Sequence, residues 1–128
     1  MELFETEIQA QSGAARALRY ETAHGAFTTP MFMPVGTHAT VKGITLSELS
    51  ELNAQVVLAN TYHLYMRPGV DVVQEAGGVQ AFMGYDGPML TDSGGFQLFS
   101  LAHMMKPGDD GVRFRADDYD GSKHFWTP

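Results

Sequence analysis

The chain has no cysteine among its 128 residues, which excludes disulfides and any thiolate metal site within it. No apolar stretch reaches 18 residues, so no transmembrane helix is expected. The first residues, Met1-Glu2-Leu3-Phe4-Glu5, are acidic where a signal peptide would be basic and then apolar. With no export signal, a cytoplasmic location is the expectation. Positive charge is scarce: eight Lys and Arg stand against fifteen Asp and Glu, a net charge of −7. That balance argues against a free-standing nucleic-acid binder, because phosphate contacts dominate such affinity. What is plentiful is apolar. Hydrophobic residues make up 44% of the chain, enough for a packed core in a single domain.

The first thirty residues alternate as strands do. Phe4, Thr6 and Ile8 face one side against Glu5, Glu7 and Gln9, and Gly13 and Gly25 mark turns before 16–22 and 26–29. This predicts a small antiparallel β layer over residues 1–29. A different rhythm starts at Pro30. The apolar runs 31–35, 56–59 and 89–91 read as buried strands of a parallel sheet. Between them, Thr45-Leu46-Ser47-Glu48 is a capping box, with Leu46, Leu49 and Leu52 on one helical stripe. Pro68 opens a second helix, with Val70 and Val73 apolar and Gly77-Gly78 as its stop.

Residues 30–105 therefore read as strand–helix–strand–helix–strand. Each run ends on its carboxyl side in small or functional residues: Gly36-Thr37-His38, Asn60-Thr61-Tyr62-His63 and Asp92-Ser93-Gly94-Gly95. In parallel α/β folds ligands sit at that edge, so three loops converge on one mouth. After Leu101, residues 106–111 read as a loop. Residues 112–115 and 123–126 then form a hairpin with Asp120-Gly121 as its turn signal, within an insertion spanning 106–128. Thr127-Pro128 looks like a helix start, N-cap and first helical position, which predicts that the chain is the front part of a longer protein.

The most informative segment is Asp92-Ser93-Gly94-Gly95-Phe96-Gln97. A carboxylate at a strand end offers proton transfer, two glycines let a ligand approach the backbone, and a Phe offers a stacking face. Blander readings stand beside this one. A lone Asp there serves as a helix cap or turn former, Gly94-Gly95 alone is a weak phosphate-loop signal, and Phe96 and Phe99 also suit a core. The five histidines (His24, His38, His63, His103, His124) lack metal-ligand spacing. His38 and His63 suit orienting hydrogen bonds at the mouth. Arg113, Arg115 and Lys123 either touch phosphate or form a solvated face balancing Asp117, Asp118 and Asp120. Lys42 and Arg67 carry the same two readings.

This motif, with Met33-Pro34-Val35-Gly36-Thr37, Asn60-Thr61-Tyr62-His63-Leu64, Arg67-Pro68-Gly69, Asp120-Gly121-Ser122 and Phe125-Trp126-Thr127-Pro128, closely resembles the N-terminal portion of bacterial tRNA-guanine transglycosylases, the queuine tRNA-ribosyltransferase family. The resemblance spans essentially the whole chain. It implies a modified TIM barrel, here an incomplete (β/α)8 barrel comprising the first three strand–helix units, preceded by the β layer and followed by the hairpin insertion. A complete barrel needs about 250 residues.

The resemblance also implies an activity: exchange of guanine at the tRNA wobble position for a 7-deazaguanine (preQ1) on the route to queuosine, by double displacement. Asp92 takes the place of the proton donor and acceptor beside the base. Ser93, Gly94, Gly95 and Phe96 take the place of the base pocket, with Phe96 stacking. The family's nucleophilic aspartate and its zinc site of three cysteines and a histidine lie in later sequence, as does most of its basic tRNA surface. The expectations are therefore no cofactor in this chain, zinc in the C-terminal part, tRNA and guanine or preQ1 as partners, a homodimer at full length, and an isolated chain without activity. Two alternatives are a non-catalytic paralogue serving as scaffold subunit and an inactive truncated fragment.

Overall fold

The computed structural model describes residues 4–101 and 105–127. The expectations that rest on the acidic start at Met1-Glu2-Leu3, on His103 and on Pro128 fall outside them.

Strands β1 (Phe4–Ser12), β2 (Ala15–Thr22) and β3 (Gly25–Thr29) form an antiparallel sheet in that order. Gly13, at φ 58°, makes the first turn, a conformation that costs glycine little. Tyr20 stacks on Phe27 with ring centroids 4.9 Å apart, a cross-strand pair set by the register. The antiparallel layer expected from the alternation is thus present, with β2 and β3 each starting one residue early.

Residues 31–35 differ from expectation. They form no strand; Val35 alone makes a parallel bridge to Leu58. The Leu58 amide donates to the Pro34 carbonyl at 2.9 Å and the Gly36 amide to the Leu58 carbonyl at 2.6 Å. Pro30 and Pro34 have no N–H to extend a ladder. Phe32 is 80% exposed rather than buried.

Helix α1 (Leu46–Glu51) has the full capping box: the Glu48 amide donates to Thr45 Oγ1 and the Glu48 carboxylate accepts from the Thr45 amide at 2.7 Å. The Thr45 amide, then the Thr45 hydroxyl donating at 2.7 Å, hold the Glu48 carboxyl below the usual carboxylate value. Of the expected leucine stripe only Leu49 is buried; Leu46 and Leu52 are exposed. Strand β4 (Val57–Ala59) follows and pairs in parallel with β5 (Met89–Thr91), Val57 facing Met89 and Ala59 facing Thr91. Val57 and Ala59 are completely buried, whereas Leu90 is 40% exposed. Among the described residues β5 pairs with β4 alone, so it is an edge strand.

Between β4 and β5 lie α2 (Thr61–Leu64), a wide turn over Tyr65–Gly69 in which Arg67 is extended, α3 (Val70–Glu75) and α4 (Val79–Met83). Pro68 sits inside the wide turn rather than opening α3, which starts after Gly69. Gly77 and Gly78, both at positive φ, do end α3. Helix α5 (Gly95–Leu101) follows the Asp92 motif.

The last sheet has three strands, not two: β6 (Lys106–Gly108), β7 (Gly111–Arg115) and β8 (Lys123–Trp126). The expected loop at 106–111 instead makes a tight hairpin, with Asp109-Asp110 between the paired Gly108 and Gly111. Pro107 is tolerated because β6 is an edge strand. The β7–β8 connection is longer than a two-residue turn. The Ala116 carbonyl accepts from the Tyr119, Asp120 and Gly121 amides at 3.1, 3.2 and 2.8 Å, closing a compact loop over 116–122.

The core has two centres. Tyr62, Leu98, Phe114 and Ala116 form one, with Trp126 and Tyr119 packed against it; Ala39, Ala59 and Leu64 form the other. No helix among the described residues is long and apolar enough to cross a membrane.

Candidate functional site

Asp92 follows β5, and the chain reverses into α5 directly after it. Each of its carboxylate oxygens accepts two hydrogen bonds. Oδ1 takes the backbone amides of Thr61 at 2.9 Å and Gly94 at 3.2 Å. Oδ2 takes the Asn60 side-chain amide at 2.7 Å and that of Gln97 at 3.3 Å. The Thr61 hydroxyl donates to the Asp92 backbone carbonyl, and the Asp92 amide reaches the Ala59 carbonyl at 3.3 Å.

The pairing of β4 with β5 in register produces this arrangement. It sets the residues just past Ala59 beside those just past Thr91. Burial by itself pushes the Asp92 carboxyl up. The Asn60 amide, then the Thr61, Gly94 and Gln97 donors, outweigh that and hold it below the usual carboxylate value. A carboxylate with four donors is kept as an anion.

Gly94 is buried at φ 71°. The group that approaches it is the Trp126 indole, with Tyr62 nearby. Ser93 turns its hydroxyl to the Gly95 amide at 3.4 Å. Phe96 is 75% exposed and Phe99 77%, so neither fills the core, and both stand on the outer side of α5. Gln97 Oε1 is buried without a partner. The site around Asp92 is therefore a charged acceptor with the unused carbonyl oxygen of Gln97 beside it, and the exposed Phe96 ring stands four residues on in the chain.

A second cluster adjoins it. Tyr119 Oη lies 2.7 Å from His63 Nδ1 and 3.1 Å from His38 Nε2, and the two imidazoles are 5.4 Å apart. One phenol bridging two rings donates to one and accepts from the other. Burial first, then His38, lowers the His63 pKa from 6.5, against opposing pulls from Asp118 and Asp92. The Tyr119 hydroxyl donates to His63 Nδ1 or accepts from it according to the tautomer of the ring. The Tyr62 hydroxyl donates to Asp118 Oδ1 at 2.6 Å. Burial, reinforced by this bond, pushes the Tyr62 phenol well up. His38, His63, Arg67, Asp118 and Tyr119 line a cavity of about 740 Å³.

The three expected loops thus meet, through two junctions: Asp92 with Asn60-Thr61, and His38 with His63 by way of Tyr119. Asn60, Thr61 and Gln97 lie inside the motifs that mark the site, but nothing local in the sequence points to them as donors to Asp92. The sequence does not mark Asp118 and Tyr119 as site residues, and the fold brings them to Tyr62, His63 and His38. Asp118 does not simply balance the basic hairpin; it holds Tyr62. The signal was the long spacing between Arg115 and Lys123, too wide for a tight turn.

The donors present do not fit a zinc ion. The chain has no cysteine, and no group of three or more His, Asp or Glu among the described residues is placed to hold a metal.

Residues 11–128 match the family described as Queuine tRNA-ribosyltransferase, and the chain belongs to that family. Proteins of this name from Desulforudis audaxviator, Acetivibrio thermocellus and a Synechococcus species are similar to it. They are 56% identical over 126 residues, 58% over 118 and 54% over 128, covering 98%, 92% and 98% of the chain. The same alignments cover 34%, 31% and 34% of those relatives, so the chain spans about a third of their length.

Proposed function

We propose that this chain is the base-recognising part of a tRNA-guanine transglycosylase, acting on the wobble guanine of tRNA and exchanging it for a 7-deazaguanine such as preQ1. The observation that carries the reading is the Asp92 carboxylate held as an anion by four donors, in the same short motif as the exposed ring of Phe96.

A flat purine-like base suits such a place: its N–H edge meets the carboxylate and its face meets the Phe96 ring. Asp92 starts as a base. It accepts a proton only by releasing a donor, and the two longest bonds, from Gln97 and Gly94, are the ones to yield. The incoming 7-deazaguanine gives up that proton from its ring N–H as it bonds to the ribose, and the protonated carboxyl passes it to the next departing guanine, so one group alternates as base and acid. Covalent displacement at the ribose needs a second carboxylate, assigned by this reading to the remaining two thirds of the family's length. Zinc, the homodimer and most of the tRNA surface are assigned there too, with a cytoplasmic location for the whole. Ser93 and Gly95, both exposed, form the wall of the base site, and Gly94, buried under the Trp126 indole, supports it through its amide to Asp92.

The fold reading belongs to the same proposal. Parallel bridging of Val35 to Leu58 and pairing of β4 with β5 supports a barrel begun by three strand–helix units, 30–105. The layer 1–29 stands before them and the insertion 106–128 after.

A direct test replaces the corresponding third of the Desulforudis audaxviator relative with this chain and follows labelled guanine entering tRNA. Exchange is expected, with Asp92→Ala abolishing it. Near-normal exchange by Asp92→Ala would overturn the assignment.

A further inference from the structure

The sheet β6–β7–β8 has two unlike faces. Strand alternation turns Val112, Phe114 and Trp126 inward, against Tyr62. The register sets Lys106 opposite Arg113, Arg113 opposite Phe125, and Arg115 opposite Lys123. These five side chains share the outward face, and all five residues are exposed. Four of the chain's eight basic residues thus stand on one small sheet, in a protein of net charge −7.

Like charges directly opposed destabilise an antiparallel pair, and this face carries two such pairs. Nothing in the fold requires them. Among the described residues, Asp117 on Arg115 is the one carboxylate forming an ion pair with any of the four cations. The Arg113 guanidinium lies 4.4 Å over the Phe125 ring, which holds it along the surface. A depression of about 540 Å³ is lined by these side chains together with Phe114 and His124.

We infer that the outward face of β6–β7–β8, with Lys106, Arg113, Arg115 and Lys123, is a contact surface for the phosphate backbone of RNA. Two rows of cations, separated by two residues or about 7 Å along β7, suit successive phosphates. Guanidinium forks pair with phosphate oxygens in two-bond geometry. The face offers no buried polar groups to read bases, so it positions RNA without specifying sequence. It is turned away from Gly94 and Asp92, which lie against the sheet's inner side through Trp126. It therefore grips RNA away from the reacting nucleotide. The choice of RNA as the anionic partner rests on the function proposed above; the charged face itself does not.

The test measures binding of a fluorescently labelled RNA stem-loop of about 17 nucleotides to the whole chain by anisotropy, as salt is raised. Each phosphate contact contributes about 0.7–0.9 to the slope of log K against log salt. The doubly substituted Arg113→Glu, Lys123→Glu protein is expected to bind at least about tenfold more weakly and to lose about 1.4–1.8 from that slope. The neutral pair Arg115→Gln, Lys123→Gln should lose a similar slope with less effect on affinity. Arg16→Gln with Arg19→Gln, on the N-terminal layer, should change neither. Equal slopes for wild type and both face variants would overturn the inference. So would tighter binding to phosphatidylserine vesicles than to RNA with the same dependence on these residues. Guanine binding at Asp92 is measured on the same proteins, so loss of the base site and loss of the RNA face are told apart.

Discussion

The Trp126 indole covers Gly94 so closely that a methyl group there would stand 2.7 Å from Trp126 Cζ3. The same glycine sits at φ 71° and donates its amide to Asp92 Oδ1. One residue thus joins the last strand of the chain to its central carboxylate. Gly94→Ala meets both a forbidden contact and a left-handed backbone, and is expected to cost about 1–3 kcal/mol of stability. Urea denaturation compares it with Gly95→Ala, whose Cβ would meet nothing closer than Ser93 Oγ at 3.4 Å and whose backbone is not left-handed. That control should cost less.

The Asp92 carboxyl titrates lower in the folded chain than its ordinary value of 3.8. Its contribution is therefore present above pH 3.8 and is lost as pH falls through the lower folded value. Asp92→Asn, which cannot be an anion, should flatten that part of the stability–pH curve and be less stable than wild type at neutral pH. Denaturation between pH 2 and pH 7 checks it. An unchanged acid limb would count against the four-donor arrangement.

His63 gives a second pH dependence. Its folded pKa lies below 6.5, so the neutral form is favoured in the fold, and stability declines as pH drops from 6.5 through the folded value. Removing the His38 ring as His38→Gln relieves one cause of the depression. Imidazole NMR titration should then show the His63 midpoint move up.

The Tyr62 hydroxyl and Asp118 meet across 2.6 Å, with Tyr62 completely buried. Tyr62→Phe keeps the packing and removes the bond, with an expected cost of about 1 kcal/mol. Asp118→Asn, which still accepts from the phenol, should cost less than Asp118→Ala. Thermal denaturation of the three variants orders them.

The sequence was legible where a residue's role is local. The capping box at Thr45 and Glu48, the turn at Gly13, the stop at Gly77-Gly78 and the strand end at Asp92 each follow from neighbours in the chain. It was least legible where the outcome depends on partners far along it. The run 31–35 is as apolar as a buried strand, but Pro30 before it and Pro34 within it leave one bridge to Leu58. Lys106-Pro107-Gly108 looks like a loop until β7 offers it a partner. Tyr119 could not be placed beside His38 and His63 from spacing alone, because the 116–122 loop must first close on Ala116. The donors to Asp92 became visible only once β4 and β5 were set in register.

The central claim is that Asp92 and its surroundings receive a guanine-like base. The most direct measurement is an NMR titration of the labelled chain with guanine and with preQ1, adenine serving as control. The account predicts shifts at the amides of Asp92, Gly94, Phe96 and Gln97 for the first two ligands, weak or absent with adenine, and lost in Asp92→Ala. Shifts that persist unchanged in Asp92→Ala, or that cluster away from residues 92–97, would contradict it.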